Sequence, residues 1–315
     1  MFVREKVIKA ILDSGENFMS GEQLSKKLGI SRTAVWKHIN ALREEGYNIE
    51  SVNKKGYRLA EKPDDILSSE NIAYNLPTEF IGKKVIHLDT VGSTNDYAKE
   101  IGNKVSGGTL IISEQQTKGK GRLGRVWKSK SGDGIWMSLI IKPKIEPYKA
   151  PFLTLVAGAS VVKALSNLDV EASIKWPNDI IVHNKKICGI LTELSAEMER
   201  VNYVVIGIGI NIKTIDFPDE IKEKATSLYK EGYKLSRVDI VRQFCIEFEK
   251  LYKGYILDGN KQDTLELCRK YSAIIGKQVY VIKNNKRELV KCIDINENGN
   301  LIVKEKNGEI QEIMS

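Results

Sequence analysis

Gly119-Lys120-Gly121-Arg122-Leu123-Gly124-Arg125 is the stretch on which the reading of this chain turns. Its glycines permit positive φ and a close approach of backbone to ligand, while Lys120, Arg122 and Arg125 supply positive charge. The pattern describes an anion cradle, above all for phosphates. A solvated basic loop has the same composition, so the loop alone leaves both readings open. A second string downstream narrows the choice: Lys175-Trp176-Pro177-Asn178-Asp179, followed by Lys186-Ile187-Cys188-Gly189-Ile190-Leu191. Asn184-Lys185-Lys186 is a polar tip between two apolar runs, which puts Lys186 where a strand re-enters the core. A lysine there is ordinarily solvated. Aimed at a phosphate or carboxylate, its point charge would offset negative charge that grows in a transition state.

Around these strings, strand-like and helix-like segments alternate from Ile66 to Tyr271. Val85–Leu88, Thr109–Ser113, Ile135–Ile141, Ile180–Val182, Gly189–Leu194 and Tyr203–Ile210 read as strands. Asn95–Ile101, Phe152–Leu168 and Asp239–Tyr255 read as helices. Strand-turn-strand pairs outnumber strand-helix-strand units, which favours an α+β layer over a doubly wound sheet. Gly207-Ile208-Gly209-Ile210-Asn211 lacks the third glycine of a dinucleotide fingerprint and has no helix start after it. Ser93 before Thr94-Asn95 reads as a helix cap.

The N-terminal 60 residues hold eleven Lys/Arg against seven Asp/Glu, half of the chain's net charge of +8 in a fifth of its length. Apolar residues Val7, Ile8, Ile11 and Leu12 have helical spacing. Ser20 caps a helix broken at Gly29, and Ser31 opens another with Val35, Ile39 and Leu42 on one face. Two short strands, at 47–52 and 56–59, flank Asn53-Lys54-Lys55. The spacing is that of a helix-turn-helix with a hairpin wing. Ser31, Arg32, Thr33, Trp36, Lys37 and Asn40 lie off the apolar face and are DNA-contact candidates, with Lys54 and Lys55 on the wing. A helical domain for protein contacts would carry the same charges, and Trp36 has packing against the wing as its alternative. Polar residues 60–65 mark a linker, giving domains at 1–62, 66–271 and 272–315.

No apolar run is read as membrane-spanning and the N-terminus has no signal-like apolar core, so no membrane partner and a cytoplasmic location are expected. Cys188, Cys245, Cys268 and Cys292 form no CxxC pair and are read as buried free thiols. His38, His87 and His183 are scattered, so any chemistry has to work without a histidine cluster.

The cationic loop and the Lys-Trp-Pro-Asn-Asp string, in this order, resemble the signature of the biotin–protein ligases. The module in front resembles that of the bifunctional ligases that also repress a biotin operon, and Ser31–Ile39 resembles their recognition-helix region. The resemblance spans essentially the whole chain. It implies an α+β multidomain fold: a winged helix-turn-helix, a central mixed-sheet ligase domain and a C-terminal SH3-like β-barrel. It implies biotin and ATP as substrates, Mg²⁺, a biotin carboxyl carrier domain as acceptor, operator DNA, and a homodimer when biotinoyl-5′-AMP is bound. Lys186 falls on the lysine that contacts biotin's carboxylate and the α-phosphate, with Arg122 and Asp179 completing the catalytic set. Ser93, Thr94, Asn95, Gln115, Gly119, Gly189, Gly207 and Asn211, together with Arg122 and Lys186, fall on the biotin pocket. Lys120, Gly121, Arg125, Trp127, Lys175 and Asn178 fall on the nucleotide side, where core packing is the other reading of Trp127. Asp179 positions the Mg²⁺ or merely caps a turn. Lys120 departs from the family's usual arginine, keeping the charge and losing the planar fork.

From Ile274 onward short β-prone segments alternate with Asn298-Gly299 and Asn307-Gly308 hairpin signals. Relatives usually add a further strand here, so their last segment is expected to be absent. A biotin-sensing repressor without ligase activity and a lipoate–protein ligase are the competing readings.

Overall fold

A computed structural model describes residues 3–60, 65–198, 200–283 and 286–314. The chain divides into two compact units, Met1–Leu76 and Pro77–Ser315.

The first unit opens with α1 (Val3–Asp13), α2 (Gly21–Leu28) and α3 (Arg32–Glu44), followed by β1 (Ile49–Val52), β2 (Gly56–Leu59) and α4 (Ser69–Ala73). Ser20 and Gln23 form a reciprocal capping box on α2, and Gly29 ends it at φ +66°. Ser31 caps α3. The apolar stripes meet in one cluster containing Val7, Ile8, Ile11, Leu24, Val35, Ile39 and Leu42. Residues 66–76 belong to this unit: Tyr74 Oη donates to the Leu12 carbonyl at 2.8 Å, and Tyr47 Oη donates to Ser68 Oγ at 2.8 Å. Most of the linker read at 60–65 lies outside the described residues.

The second unit runs β3 (Val85–Val91), α5 (Thr94–Ile101), β4 (Thr109–Gln116), β5 (Gly134–Ile141), α6 (Phe152–Ser166), β6 (Ser173–Lys175), β7 (Asp179–Val182), β8 (Lys185–Glu197) and β9 (Arg200–Asn211). Then come α7 (Arg237–Leu257) and α8 (Gln262–Lys270). The strands form one seven-stranded sheet in the order β3-β4-β5-β9-β8-β7-β6. Only β3 and β4 pair in parallel; the other neighbours are antiparallel, so the sheet is mixed. Every residue of β5 is buried, as expected of a central strand covered on both faces. Pro147–Ser166 is long and apolar enough by composition to cross a membrane, contrary to the sequence expectation, yet 72% of its most apolar window is buried within the protein. It is a core helix.

The chain ends in β10 (Gln278–Lys283), β11 (Lys286–Ile295), β12 (Leu301–Lys304) and β13 (Ile310–Ile313), an antiparallel sheet in that order. The expected SH3-like barrel is thus a four-stranded, barrel-like sheet that does not close. Trp176 Nε1 donates to the Gly299 carbonyl at 3.0 Å, and Arg269 Nε pairs with Asp294 Oδ1 at 2.7 Å, so this sheet is seated on the rest of the second unit. All four cysteines are free and buried, and burial pushes the Cys245 thiol up to about 12.

Glu249 on α7 is the anchor of the chain's entry into this unit. Its carboxylate, 6% exposed, accepts from the backbone N–H groups of Glu79 (2.6 Å), Phe80 (2.9 Å) and Ile81 (2.9 Å). Burial alone would raise its pKa; the three amides and Lys253 outweigh it and hold the group below its usual 4.5. A depressed carboxylate stabilises above its unfolded pKa, and that contribution fades as pH falls through the folded one. Glu249→Gln should therefore lose about 1–3 kcal/mol at pH 7. In urea unfolding from pH 7 to pH 4, the gap to the unsubstituted protein should narrow at the acid end.

Candidate functional site

The central sheet and α5 enclose a cavity of about 450 Å³, counted with its open mouth. Its closed end is polar and buried. Ser93, Thr94 and Asn95, at the start of α5, are 2%, 3% and 3% exposed. Ser93 Oγ accepts from the Asp96 amide at 3.4 Å, so the residue caps the helix and lines the cavity at once. Thr94 donates to Gln116 Oε1 from its backbone N–H (2.8 Å) and its hydroxyl (3.1 Å). Gln116 Nε2 donates onward to Ser129 Oγ at 2.8 Å. Ser138 on β5 lies within donating distance of Thr94 Oγ1 (2.8 Å) and Asn95 Oδ1 (2.6 Å). Polar groups buried this completely persist because each is paired.

The cavity wall is cleared by glycines. A Cβ at Gly207 would collide with the Asn95 carboxamide, whose Nδ2 lies 2.8 Å from that point. A Cβ at Gly209 would lie 2.6 Å from Trp127 Nε1, and one at Gly189 would lie 3.0 Å from Trp127 Cζ3 and 3.1 Å from Lys186 Nζ. Gly189 and Gly209 are direct partners across β8 and β9, so the indole of Trp127 rests on bare backbone. Its Nε1 is buried without a hydrogen-bond partner among the described residues.

The open end is cationic. Lys186 Nζ sits 5.2 Å from the Trp127 ring centroid and 2.6 Å from Asp179 Oδ1. The Lys186 backbone is clamped, its N–H donating to the Lys224 carbonyl (2.7 Å) and its carbonyl accepting from Thr226 N–H (2.9 Å). Arg122 Nη1 donates to Asn178 Oδ1 at 3.1 Å. Lys120 Nζ reaches Asp96 Oδ2 at 2.7 Å. Burial would raise the Asp96 carboxyl, and the hydrogen bonds from Lys120 and Lys99 bring it below its ordinary value.

Of the residues singled out by sequence, Ser93, Thr94, Asn95, Lys120, Gly121, Arg122, Trp127, Asn178, Lys186, Gly189 and Gly207 line one cavity. Gly119 supports it from behind: a Cβ there would strike the Trp127 carbonyl. Gln115 is not in the cavity lining, whereas its neighbour Gln116 is. Successive residues of β4 face opposite ways, and it is Gln116 that reaches Thr94. Asn211 stands outside the cavity and donates to the Thr226 carbonyl at 3.1 Å. Arg125 and Lys175 are exposed and outside the lining. Asp179 touches the site through Lys186. Sequence reasoning missed Ser138, Met137 and Glu193; a serine within the apolar run Gly134–Ile141 was the available signal for the first.

Residues 88–211 match the biotin/lipoate A/B protein ligase family, and residues 3–58 match a helix-turn-helix domain. Bifunctional ligase/repressors of Bacillus spizizenii and Bacillus subtilis are each 42% identical over 99% of this chain and 97% of theirs. The biotin protein ligase of Aquifex aeolicus, solved in complex with biotin and ATP, is 31% identical with a TM-score of 0.64, covering 74% of this chain and 96% of that one. The chain belongs to the bifunctional biotin ligase/repressors.

In the repressor module, α3 exposes Arg32, Thr33 and Lys37 on the side away from its buried Val35, Ile39 and Leu42. Trp36 is 54% exposed. Ser31 spends its hydroxyl on the Ala34 amide at 3.1 Å, and Asn40 Oδ1 accepts from Arg43 Nη1 at 3.4 Å. Arg43 also donates to the Ile49 carbonyl at 2.9 and 2.7 Å, tying α3 to the wing. Lys54 turns the wing at φ +66°, while Lys55 and Arg58 lie over the Phe18 ring at 5.9 and 4.7 Å.

In the ligase domain the bare wall can be tested directly. Gly207→Ala should force Asn95 off its present position and lower unfolding stability by about 1–3 kcal/mol, as overpacking does. Urea denaturation of the full-length ligase/repressor reads the loss.

Proposed function

We propose that the chain couples biotin to a lysine of a biotin carboxyl carrier domain at the expense of ATP, and that its N-terminal module represses transcription from an operator. The observation that carries this reading is the joining, on one cavity, of a neutral polar end (Ser93, Thr94, Asn95, Gln116) to a cationic end (Lys186, Arg122, Lys120). Biotin requires both. Its ureido ring needs donors and acceptors in a dry pocket, and its carboxylate must approach a phosphorus atom through negative charge.

In the first step a carboxylate oxygen of biotin attacks the α-phosphorus of ATP. A C–O–P linkage forms as the bond to pyrophosphate breaks, giving biotinoyl-5′-AMP. In the second step the neutral ε-amine of the acceptor lysine attacks the carbonyl carbon of this mixed anhydride. The bond to AMP breaks and the nitrogen releases a proton. Positioning and charge neutralisation do most of such work, in keeping with the scattered histidines. In this reading Lys186 shares its charge between the biotin carboxylate and the α-phosphate, displacing part of its pairing with Asp179. Arg122 neutralises the same region, and Trp127 covers the ligand from the glycine wall. Lys120, Gly121 and Asn178 face the nucleotide, with Arg125 and Lys175 as outer phosphate contacts, while Asn211 supports the pocket through Thr226. Closure of residues 119–125 would exclude water from the anhydride.

Mg²⁺ binds reluctantly to all-protein cages and prefers one or two carboxylates plus phosphate oxygens. Among the described residues no group of three or more His, Cys, Asp and Glu could hold a metal ion, whereas Asp179 offers a single carboxylate beside Lys186. That donor set fits an ion brought with the nucleotide, where it would neutralise phosphate charge. We infer further that biotinoyl-5′-AMP favours a homodimer whose two helix-turn-helix modules read a palindromic operator. A cytoplasmic location follows from the need for ATP, DNA and acceptor in one compartment.

The test is biotin-dependent ATP–pyrophosphate exchange, then labelling of a carrier-domain lysine. Lys186→Ala should lower exchange by a factor of about 10² or more, the scale of losing a charge aimed at the developing negative charge. Retained exchange in that variant would remove Lys186 from the mechanism. For the repressor, Arg32→Ala and Lys37→Ala should each weaken operator binding. A phosphate contact is identified by a salt slope reduced by about one, read by fluorescence anisotropy at several ionic strengths.

A further inference from the structure

Asn95 is the most constrained polar group at the closed end of the cavity, and its hydrogen bonds can be counted. A carboxamide has two N–H donors and two acceptor lone pairs. Nδ2 donates to the Leu191 carbonyl at 3.3 Å and to Glu193 Oε2 at 2.7 Å, which uses both donors. Oδ1 lies 2.6 Å from Ser138 Oγ, leaving one lone pair. The side chain can therefore offer a ligand an acceptor and nothing else. Gly207, lacking a side chain, leaves the room that this carboxamide occupies.

The two ends of a carboxamide are almost the same size, so packing alone does not choose between them. Glu193 does. An ionised carboxylate only accepts, and a half-turn of Asn95 would set its oxygen against that carboxylate and aim its –NH₂ at the Ser138 hydroxyl. Lys99 in turn holds Glu193, with Nζ at 2.6 Å from Oε1. That hydrogen bond, ahead of other causes, raises the Lys99 ammonium above its ordinary pKa.

We propose that Glu193 is a positioning residue that locks Asn95 as an acceptor and thereby selects a ligand N–H at the closed end of the cavity. Resting on the reading that this cavity holds biotin, the N–H it selects is one of the ureido ring. Glu193 makes no contact with the ligand itself; it acts through Asn95. A ring lacking an N–H at this point would leave a buried acceptor unpaired, the kind of mismatch that a polar site rejects most strongly.

The experiment is calorimetric titration of full-length protein with biotin, together with the KM values for biotin and ATP in pyrophosphate exchange. Glu193→Leu removes the nearer of the two acceptors of Asn95 Nδ2, leaving the Leu191 carbonyl at 3.3 Å, and should weaken biotin binding about 10- to 100-fold, on the scale of one or two mispaired buried groups. The loss should appear in the KM for biotin, with the KM for ATP within about twofold, since Asn95 faces the head-group end. Glu193→Gln keeps an oxygen for Asn95 Nδ2, and Lys99→Met removes the ion pair but keeps the carboxylate; both should stay within about threefold, because a partly exposed ion pair contributes little. Should Glu193→Leu not fold, Glu193→Val supplies the same comparison with a side chain suited to a strand.

Unchanged biotin affinity in folded Glu193→Leu or Glu193→Val overturns the proposal. So does a Glu193→Gln variant as impaired as Glu193→Leu, because the effect would then belong to the charge rather than to the lock on Asn95. Failure of the unsubstituted protein to bind biotin overturns the functional reading itself and this inference with it.

Discussion

Two glycines facing each other across adjacent strands are the constraint on which this site depends. Gly189 and Gly209 are register partners in β8 and β9, and Gly207 is two residues along the same strand face. Side chains on one face of a strand recur at every second position, so Gly207 and Gly209 together strip that face while Ile206, Ile208 and Ile210 fill the other. The bare patch admits Trp127 and leaves Lys186 room beside it. The cost is borne by the strands, which lose side-chain packing at these positions. Antiparallel pairing with β5, buried throughout, compensates for that loss.

The cations around the mouth come from separate elements and share one logic. Lys120 is held by Asp96 at the start of α5, Lys186 by Asp179 on β7 and Arg122 by Asn178 in the turn before β7, each by a short polar side chain. These contacts are partly exposed, where an ion pair contributes less than about 1 kcal/mol. Their value is orientation. They keep positive charge pointed at one place before an anion arrives, so little reorganisation is left for the moment of reaction.

The repressor module meets a different difficulty, that of a small unit with a small core. It recruits residues from beyond the wing: Tyr74 bonds to the end of α1, Ile66 and Tyr74 pack on the helical cluster, and Ile72 is fully buried. The wing is equally constrained, because Gly56 sits at φ +110° against the Met19 backbone, where no side chain fits. The polar stretch at 60–65 therefore reads as a boundary in composition, while the packing unit extends to Leu76.

Sequence alone determined the elements whose signal is local. The Ser20 and Ser31 caps, the αL glycine at position 29 and the turn-separated terminal strands follow from neighbours a few residues apart, and the structure has each of them. Only the tertiary structure decided which side of a strand faces the cavity and what waits there. Gln115 and Gln116 are indistinguishable as letters; the hydrogen bonds of Gln116 to Thr94 and Ser129 show which one turns toward the cavity. Ser138 and Glu193 matter because β5 and β8 flank β9 and bring them to Asn95, some forty to a hundred residues away along the chain. The physical reason is the same in each case: capping and periodicity are properties of a segment, whereas register and hydrogen-bond satisfaction are properties of the assembled sheet.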